Sequence, residues 1–238
     1  MKKKQAVVSV EEGKWLRIPV KTRLILRGDD LLGALEEGLN EAGENPGPGD
    51  TLFVSEKAVG ASQGRYFVLG EDELRVRPMA RFLSRFVTRT PAGIGLGMPE
   101  TMECAMRECG VMRILAASAI GGLTRLFGRR GDFYRIAGPC ARSIDGPTTG
   151  TIPPFDNAVS LAPEDPEGVS RTIAERFGCR AAVVDINDLG GNILGAWPGD
   201  IDRELLLKIL SDNPLGQGTA GTPLGIVRKL SLSSPDPE

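Results

Sequence analysis

The sequence predicts an α/β protein with α+β-like mixed sheets. Three observations carry this: short apolar runs rich in Val and Ile, stretches with apolar residues three and four apart, and a loose alternation of the two. QAVVSV (5–10) and KWLRIPV (14–20) read as strands separated by a turn-like Glu11–Gly13. A helix follows, capped by Asp29 or Asp30 and carrying Leu31, Leu32, Leu35 and Leu39 at helical spacing. The Gly/Pro punctuation of ENPGPGD (44–50) then leads into TLFVSEKAV (51–59), read as a buried strand.

Residues 79–88 (MARFLSRFVT) have the pattern of a short amphipathic helix, and 99–122 (PETMECAMRECGVMRILAASAIGG) that of one buried helix. Between them PAGIGLGMP offers three glycines, but no strand precedes them and no G-K-[ST] follows, so a flexible connection outweighs a phosphate loop. AGPCARSIDGPTTGTIPPFDN (137–157) is a long segment with little regular pattern and sparse charge, which points to a functional loop rather than disorder. PEDPEGVSRTIAERFG reads as a capped helix, CRAAVVDI as a strand and DRELLLKILSDN as a helix stopped at Asn213–Pro214. PLGIVRKLSL (223–232) closes the fold as a strand. Residues 1–232 are therefore read as one domain, divisible into two subdomains, and 233–238 as a frayed tail.

Composition removes several function classes. With 238 residues, 41% of them hydrophobic, the chain has ample core, and its formal net charge of −2 argues against non-specific nucleic-acid binding. No apolar run approaches the roughly 20 residues that span a bilayer. The basic start MKKK meets Glu11–Glu12 with no sustained apolar segment, so it is not a secretion signal, and a cytoplasmic protein without a membrane partner is expected. Four scattered cysteines read as buried thiols rather than a disulfide framework or zinc site. The most restrictive count is zero histidines, which excludes Ser-His-Asp and Cys-His catalysis. Carboxylates, Lys, Arg, Cys, backbone amides and a bound ion are left, and an oxygen-only ligand set favours Mg²⁺, Mn²⁺ or Ca²⁺.

Four constellations have the residue types for such chemistry. VVDINDLGG (183–191) sets Asp185, Asn187 and Asp188 straight after an apolar run. Two readings stand side by side: a polar turn, or a hard-cation site at a strand end. FVSEKAVGASQGRYF (53–67) interleaves small residues, Ser55 among them, with Lys57 and Arg65. They are either phosphate-neutralising cations or two solvated surface charges. SIDGPTTG with PPFDN contributes Asp145 and Asp156, which an Asp-Gly-Pro turn also explains. PLGQGTAGTPLGIVR (214–228) is another small-residue loop, with Gln217 and Thr219 as polar candidates.

In this order the segments resemble the coenzyme F-420-0:L-glutamate ligase (gamma-glutamyl ligase) family. IPVKTRLILRGDDLLGAL is similar to the family's opening K-T-x-x-[IL]-x-x-G-D-D-L, and FVSEKAVGASQGR to its S-K-x-V-S-K-A-E-G-R. LAPEDPEGVSRTI resembles its L-P-x-D-P-D helix entry, VVDINDLGG its metal strand, and PLGQGTAGTPLGIVRKL its closing segment. Residues 70–130 are unmatched and read as a divergent helical insert. The second lysine and the glutamate of K-A-E-G-R are Ala61 and Gln63 here, and the A-G-x-D-x-S-N aspartate is replaced by either Asp145 or Cys140.

The resemblance implies a gamma-glutamyl-ligase-like fold in an intertwined homodimer, with the nucleotide site built partly at the subunit interface. It implies a GTP- or ATP-dependent ligase that uses Mg²⁺ or Mn²⁺ to join L-glutamate, or a similar amino acid, to a small-molecule carboxylate acceptor. On it, Lys57, Asp145 and Asp185 are catalytic. Ser55, Lys57, Arg65, Gln217 and Thr219 hold the nucleotide, and Asp145, Asp185, Asn187 and Asp188 hold the metal. The alternative is a non-catalytic paralogue that binds a nucleotide or phosphorylated metabolite.

Overall fold

The computed structural model describes residues 5–11, 13–87, 95–129, 131–188, 190–216 and 218–230. The chain begins with β1 (Val7–Val10), β2 (Gly13–Val20), α1 (Leu31–Ala42), β3 (Thr51–Ser55) and α2 (Glu56–Ser62). It continues through β4 (Tyr66–Val68), α3 (Pro78–Leu83), α4 (Pro99–Glu108), α5 (Val111–Leu126), α6 (Asp132–Ala137), α7 (Pro139–Arg142) and β5 (Ala158–Ser160). It closes with α8 (Pro166–Phe177), β6 (Arg180–Asn187), β7 (Gly190–Trp197), α9 (Arg203–Ile209) and β8 (Leu224–Leu230). Two compact units result, one from residues 1–64 and 163–238 and the other from 65–162.

The first unit is built on a six-stranded sheet of order β1-β2-β8-β3-β6-β7. Every neighbouring pair is antiparallel except β3 and β6, which run parallel. The central strands are apolar on both faces, as a sheet covered on both sides requires. Phe53, Ala182, Val184 and Val227 pack with Leu206, Ile209 and Leu210 at the end of α9. Alternate residues Leu52, Val54, Ala181 and Val183 are equally buried. Helix α8 lies along β6 and β7, and it starts so close that a Cβ on Gly195 would sit 2.2 Å from the Pro166 carbonyl oxygen. Only glycine fits there.

The second unit pairs β4 with β5 and surrounds them with short helices. Its core gathers Met102, Cys104, Ala105 and Met106 from α4, Ile114 and Ala117 from α5, and Val159 from β5. The single helix expected over 99–122 is two helices. Gly110, at φ +88°, turns the chain between α4 and α5, a conformation that L side chains rarely adopt. The expected strand 51–59 also divides, because Ser55 caps α2: its Oγ accepts from the Ala58 amide at 3.3 Å.

Other departures are local. Asp30 stands at the N-cap of α1 without a side-chain cap bond, while Asp29 accepts from the Leu26 amide (2.8 Å) and Arg23 (2.8 Å). Those two donors, the amide first, hold the Asp29 carboxyl below its ordinary range. The irregular segment 137–157 contains α7 and an Asp145–Ser160 bridge. Strand β7 was hidden by its opening Gly190–Gly191, which reads as a turn. The PAGI half of PAGIGLGMP, and the tail 233–238, lie outside the described residues.

Candidate active site

Four segments of the first unit meet at one end of its sheet. Parallel pairing sets Ser55 of β3 opposite Val184 of β6, so both strands deliver their C-terminal ends to the same place. Asp185 is the next residue on β6. Strand β8 runs the other way, with Leu224 opposite Val54, so the loop before it opens at that end too. The Ser55 amide donates to the Pro223 carbonyl at 2.8 Å. Strand β2 ends opposite Leu224 as well, and the Thr22 amide reaches the Gly221 carbonyl at 3.2 Å. The carboxyl ends of adjacent parallel strands are where open α/β sheets place ligands.

VVDINDLGG is both turn and strand. Asp185 and Asn187 remain paired in β6, opposite Asn192 and Gly190 of β7, and Asp188 begins the tight hairpin connection. Asp185 and Asn187, two apart, share one face of the strand; Asp185 is half-buried and Asn187 and Asp188 are exposed. Asp188 Oδ1 accepts from Asn213 Nδ2 at 3.3 Å, and the same nitrogen donates to the Gly216 carbonyl at 3.1 Å. Asn213 is fully buried at φ +53°, a backbone that Asn tolerates better than most residues. The Asn213–Pro214 dipeptide predicts a helix stop, yet α9 ends earlier, at Ile209. Nothing in that dipeptide announces a partner for Asp188.

Lys57 is exposed on the first turn of α2, and Thr219 is exposed in the loop before β8. Gln217 lies outside the described residues. Arg65 and Asp145 belong to the second unit. The Arg65 guanidinium donates to both carboxylate oxygens of Glu108 and, through Nε, to the Ala162 carbonyl at 3.0 Å. Asp145 is half-buried and exchanges backbone hydrogen bonds with Ser160 (3.0 and 2.9 Å). Cys140 lies against the Cys109 thiol. The first unit therefore brings Ser55, Lys57, Asp185, Asn187, Asp188 and Thr219 to one sheet end, and Lys21–Thr22 and Asn213 join them.

Among the described residues, no three Asp, Glu, Cys or His side chains gather closely enough to form a metal cage. The hairpin instead offers oxygen donors alone. That set fits a hard cation such as Mg²⁺, which is held by one or two carboxylates and keeps waters or phosphate oxygens for the rest. It does not fit a thiolate- or imidazole-bound metal.

Cys104, Cys109 and Cys179 are poor nucleophiles. Burial pushes Cys104 up to about 12 and Cys179 up to about 11. Burial, and then the neighbouring Cys140, does the same to Cys109, up to about 12. A concavity of about 650 Å³ in the second unit is lined by Arg75, Arg77, Glu103 and Arg107 and contains none of the candidate residues. Its carboxylate is bound by two arginines, so we read it as structural.

Residues 19–194 match the model of a family described as F420-0:Gamma-glutamyl ligase. No curated protein matches the chain.

Proposed function

The chain belongs to the F420-0:gamma-glutamyl ligase family, and from that premise we propose that it is a nucleotide- and divalent-metal-dependent amide ligase working at the C-terminal end of β3 and β6. The observation that carries the reading is the convergence there of Asp185, Asn187 and Asp188 with Ser55, Lys57 and the loop bearing Thr219. A carboxylate does not react with an amine unaided, because its oxygen leaves poorly. Transfer of the γ-phosphoryl group of GTP or ATP to the acceptor carboxylate gives an acyl phosphate and the nucleoside diphosphate. The amine of L-glutamate then attacks the acyl carbon and phosphate leaves with the electron pair of the C–O bond. The amine's proton passes to solvent or a neighbouring base.

Such a reaction needs positioning and charge neutralisation more than protein nucleophiles, which suits a chain with no histidine. Lys57 supplies a positive charge for the phosphates. Asp185, with Asn187 and Asp188, would hold Mg²⁺ or Mn²⁺, which would supply Lewis-acid neutralisation of the phosphate charge. Asn213 positions Asp188. The Ser55 hydroxyl stays on α2 as its cap, which keeps Lys57 on a fixed first turn.

One observation favours a second reading, a non-catalytic nucleotide-binding paralogue. The two family positions occupied by Lys and Glu hold a buried Ala61 and a Gln63 engaged by the Glu164 backbone at 2.9 and 2.7 Å. The test is incubation of the purified chain with F420-0, L-glutamate, Mg²⁺ or Mn²⁺ and either nucleotide. Phosphate release that requires both acceptor and glutamate, with a glutamylated product by mass spectrometry, is expected. Lys57→Met should weaken triphosphate binding roughly ten- to a hundredfold, as loss of one charged contact does. Nucleotide binding without turnover supports the paralogue.

A further inference from the structure

The whole-chain charge of −2 conceals a strong local asymmetry. Between residues 75 and 142 there are twelve arginines, no lysine and only four acidic residues (Glu100, Glu103, Glu108, Asp132), a net charge of +8. The remainder of the chain carries −10. Within this basic segment lies α5, a helix with two apolar faces. One, bearing Ile114 and Ala117, is buried in the core of the second unit. The other carries Met112, Ala116, Ala119, Ile120, Leu123 and Leu126, spaced i, i+4, i+7, i+8, i+11 and i+14, a single stripe with no charge on it.

That stripe is exposed. Leu126 is 83%, Met112 77% and the following Phe127 78% accessible. The same unit also exposes the edge-on rings Phe82 and Phe86, 5.0 Å apart. Exposed Arg81 and Arg85 immediately precede those rings, exposed Arg113 stands in the first turn of α5, and exposed Arg129 follows its end. Single exposed apolar residues need no explanation, but a contiguous large apolar face rimmed by one sign of charge marks an interaction surface.

We propose that the second unit docks on an anionic phospholipid surface, with the outer face of α5 and the Phe82–Phe86 pair in the headgroup region and the surrounding arginines on lipid phosphates. Among the described residues no helix is long and apolar enough to cross a membrane; this helix lies along one. An apolar face of Leu, Phe and Met beside basic residues is the pattern of helices that bind in the interfacial plane, and each arginine near an anionic leaflet adds attraction. Charge decides against the other occupants. A second copy seated symmetrically on this face would bring two +8 segments together. A nucleic acid would satisfy the arginines but leave the aliphatic stripe wet.

The experiment is flotation of the full chain with phosphatidylcholine vesicles, with and without about 30% phosphatidylglycerol, in about 0.1 and 0.5 M salt. The expected result is binding only to the anionic vesicles, reduced at least tenfold by the higher salt. Leu126→Glu/Phe127→Glu and, separately, Arg81→Glu/Arg85→Glu alter only exposed positions, so both should melt like the parent and both should lose tenfold or more of the binding. No flotation of the parent, or flotation that the folded variants retain, overturns the proposal. So does a dimer in sedimentation velocity that Leu126→Glu/Phe127→Glu dissolves while vesicles are ignored. Retention of a DNA or RNA oligonucleotide in preference to anionic vesicles overturns it as well.

Discussion

Arg65 holds Glu108 with both terminal nitrogens of its guanidinium, and its Nε binds the Ala162 carbonyl at 3.0 Å. The pair joins the start of β4 to the end of α4, with both side chains largely sheltered at 17% and 22% exposure. A cation that the sequence offers either as a phosphate ligand or as a solvated surface charge organises its own unit. Arg65→Ala should destabilise the protein by about 1–3 kcal/mol in urea unfolding, because it strands a half-buried carboxylate. Glu108→Ala should do likewise, and the double variant should cost less than the sum. Full additivity would show that the two do not couple.

Asp185 is the carboxylate on which the proposed metal depends. It sits at the end of β6, half-buried and away from the apolar contacts of the core. Asp185→Asn should weaken Mn²⁺ binding tenfold or more by calorimetry while changing the melting temperature little. Unchanged Mn²⁺ affinity in a folded variant refutes the assignment. A large loss of stability without metal would instead make Asp185 a structural residue of the hairpin.

Glu103 supplies a pH dependence. Its side chain is 2% exposed. Burial alone would raise its pKa, but bonds from Arg77 (3.0 Å) and Arg107 (2.9 Å), and from the Arg77 amide, together hold it below the ordinary glutamate value. A depressed folded pKa contributes stability above the unfolded value, near 4.3, and that contribution is lost as pH falls through the folded value. Stability should therefore decline below about pH 4.5, and Glu103→Gln should flatten that limb while lowering stability at pH 7. An unchanged acid limb in the variant would exclude Glu103 as a contributor.

Arg17 is the largest buried cation, 1% exposed in the middle of β2. It donates to both Asp212 oxygens, to the Ile209 carbonyl at 2.9 Å and to the Gln5 carbonyl. Asp212 itself is 45% exposed. The two deletions should therefore be unequal. Asp212→Ala leaves a buried guanidinium without its counter-charge and should cost about 3 kcal/mol or more, whereas Arg17→Met leaves a carboxylate that water can solvate. Guanidinium-chloride unfolding of both variants measures the order; equal costs would mean water reaches Arg17.

The local code was largely legible where neighbours in sequence are also neighbours in space. Helix α8 has its Asp165 cap, Pro166 in its first turn and Gly178 at its end, and the apolar run of β6 is followed by acids at its end. The family could be recognised from five short motifs for the same reason. What sequence could not supply was pairing. Residues 99–122 are apolar enough for one helix, and only the backbone at Gly110 divides them. The second apolar face of α5 is invisible until the first is seen buried in a core. Asp188 finds Asn213 twenty-five positions away because β6 ends, and the loop between α9 and β8 leads into β8, at the same end of the sheet. Arg65 and Glu108, forty-three positions apart, meet because α4 packs beside the strand pair. Periodicity and caps are set by near neighbours, so one segment suffices to read them; ion pairs, sheet order and which face meets water are set by the closing of distant segments, which the tertiary structure alone decides.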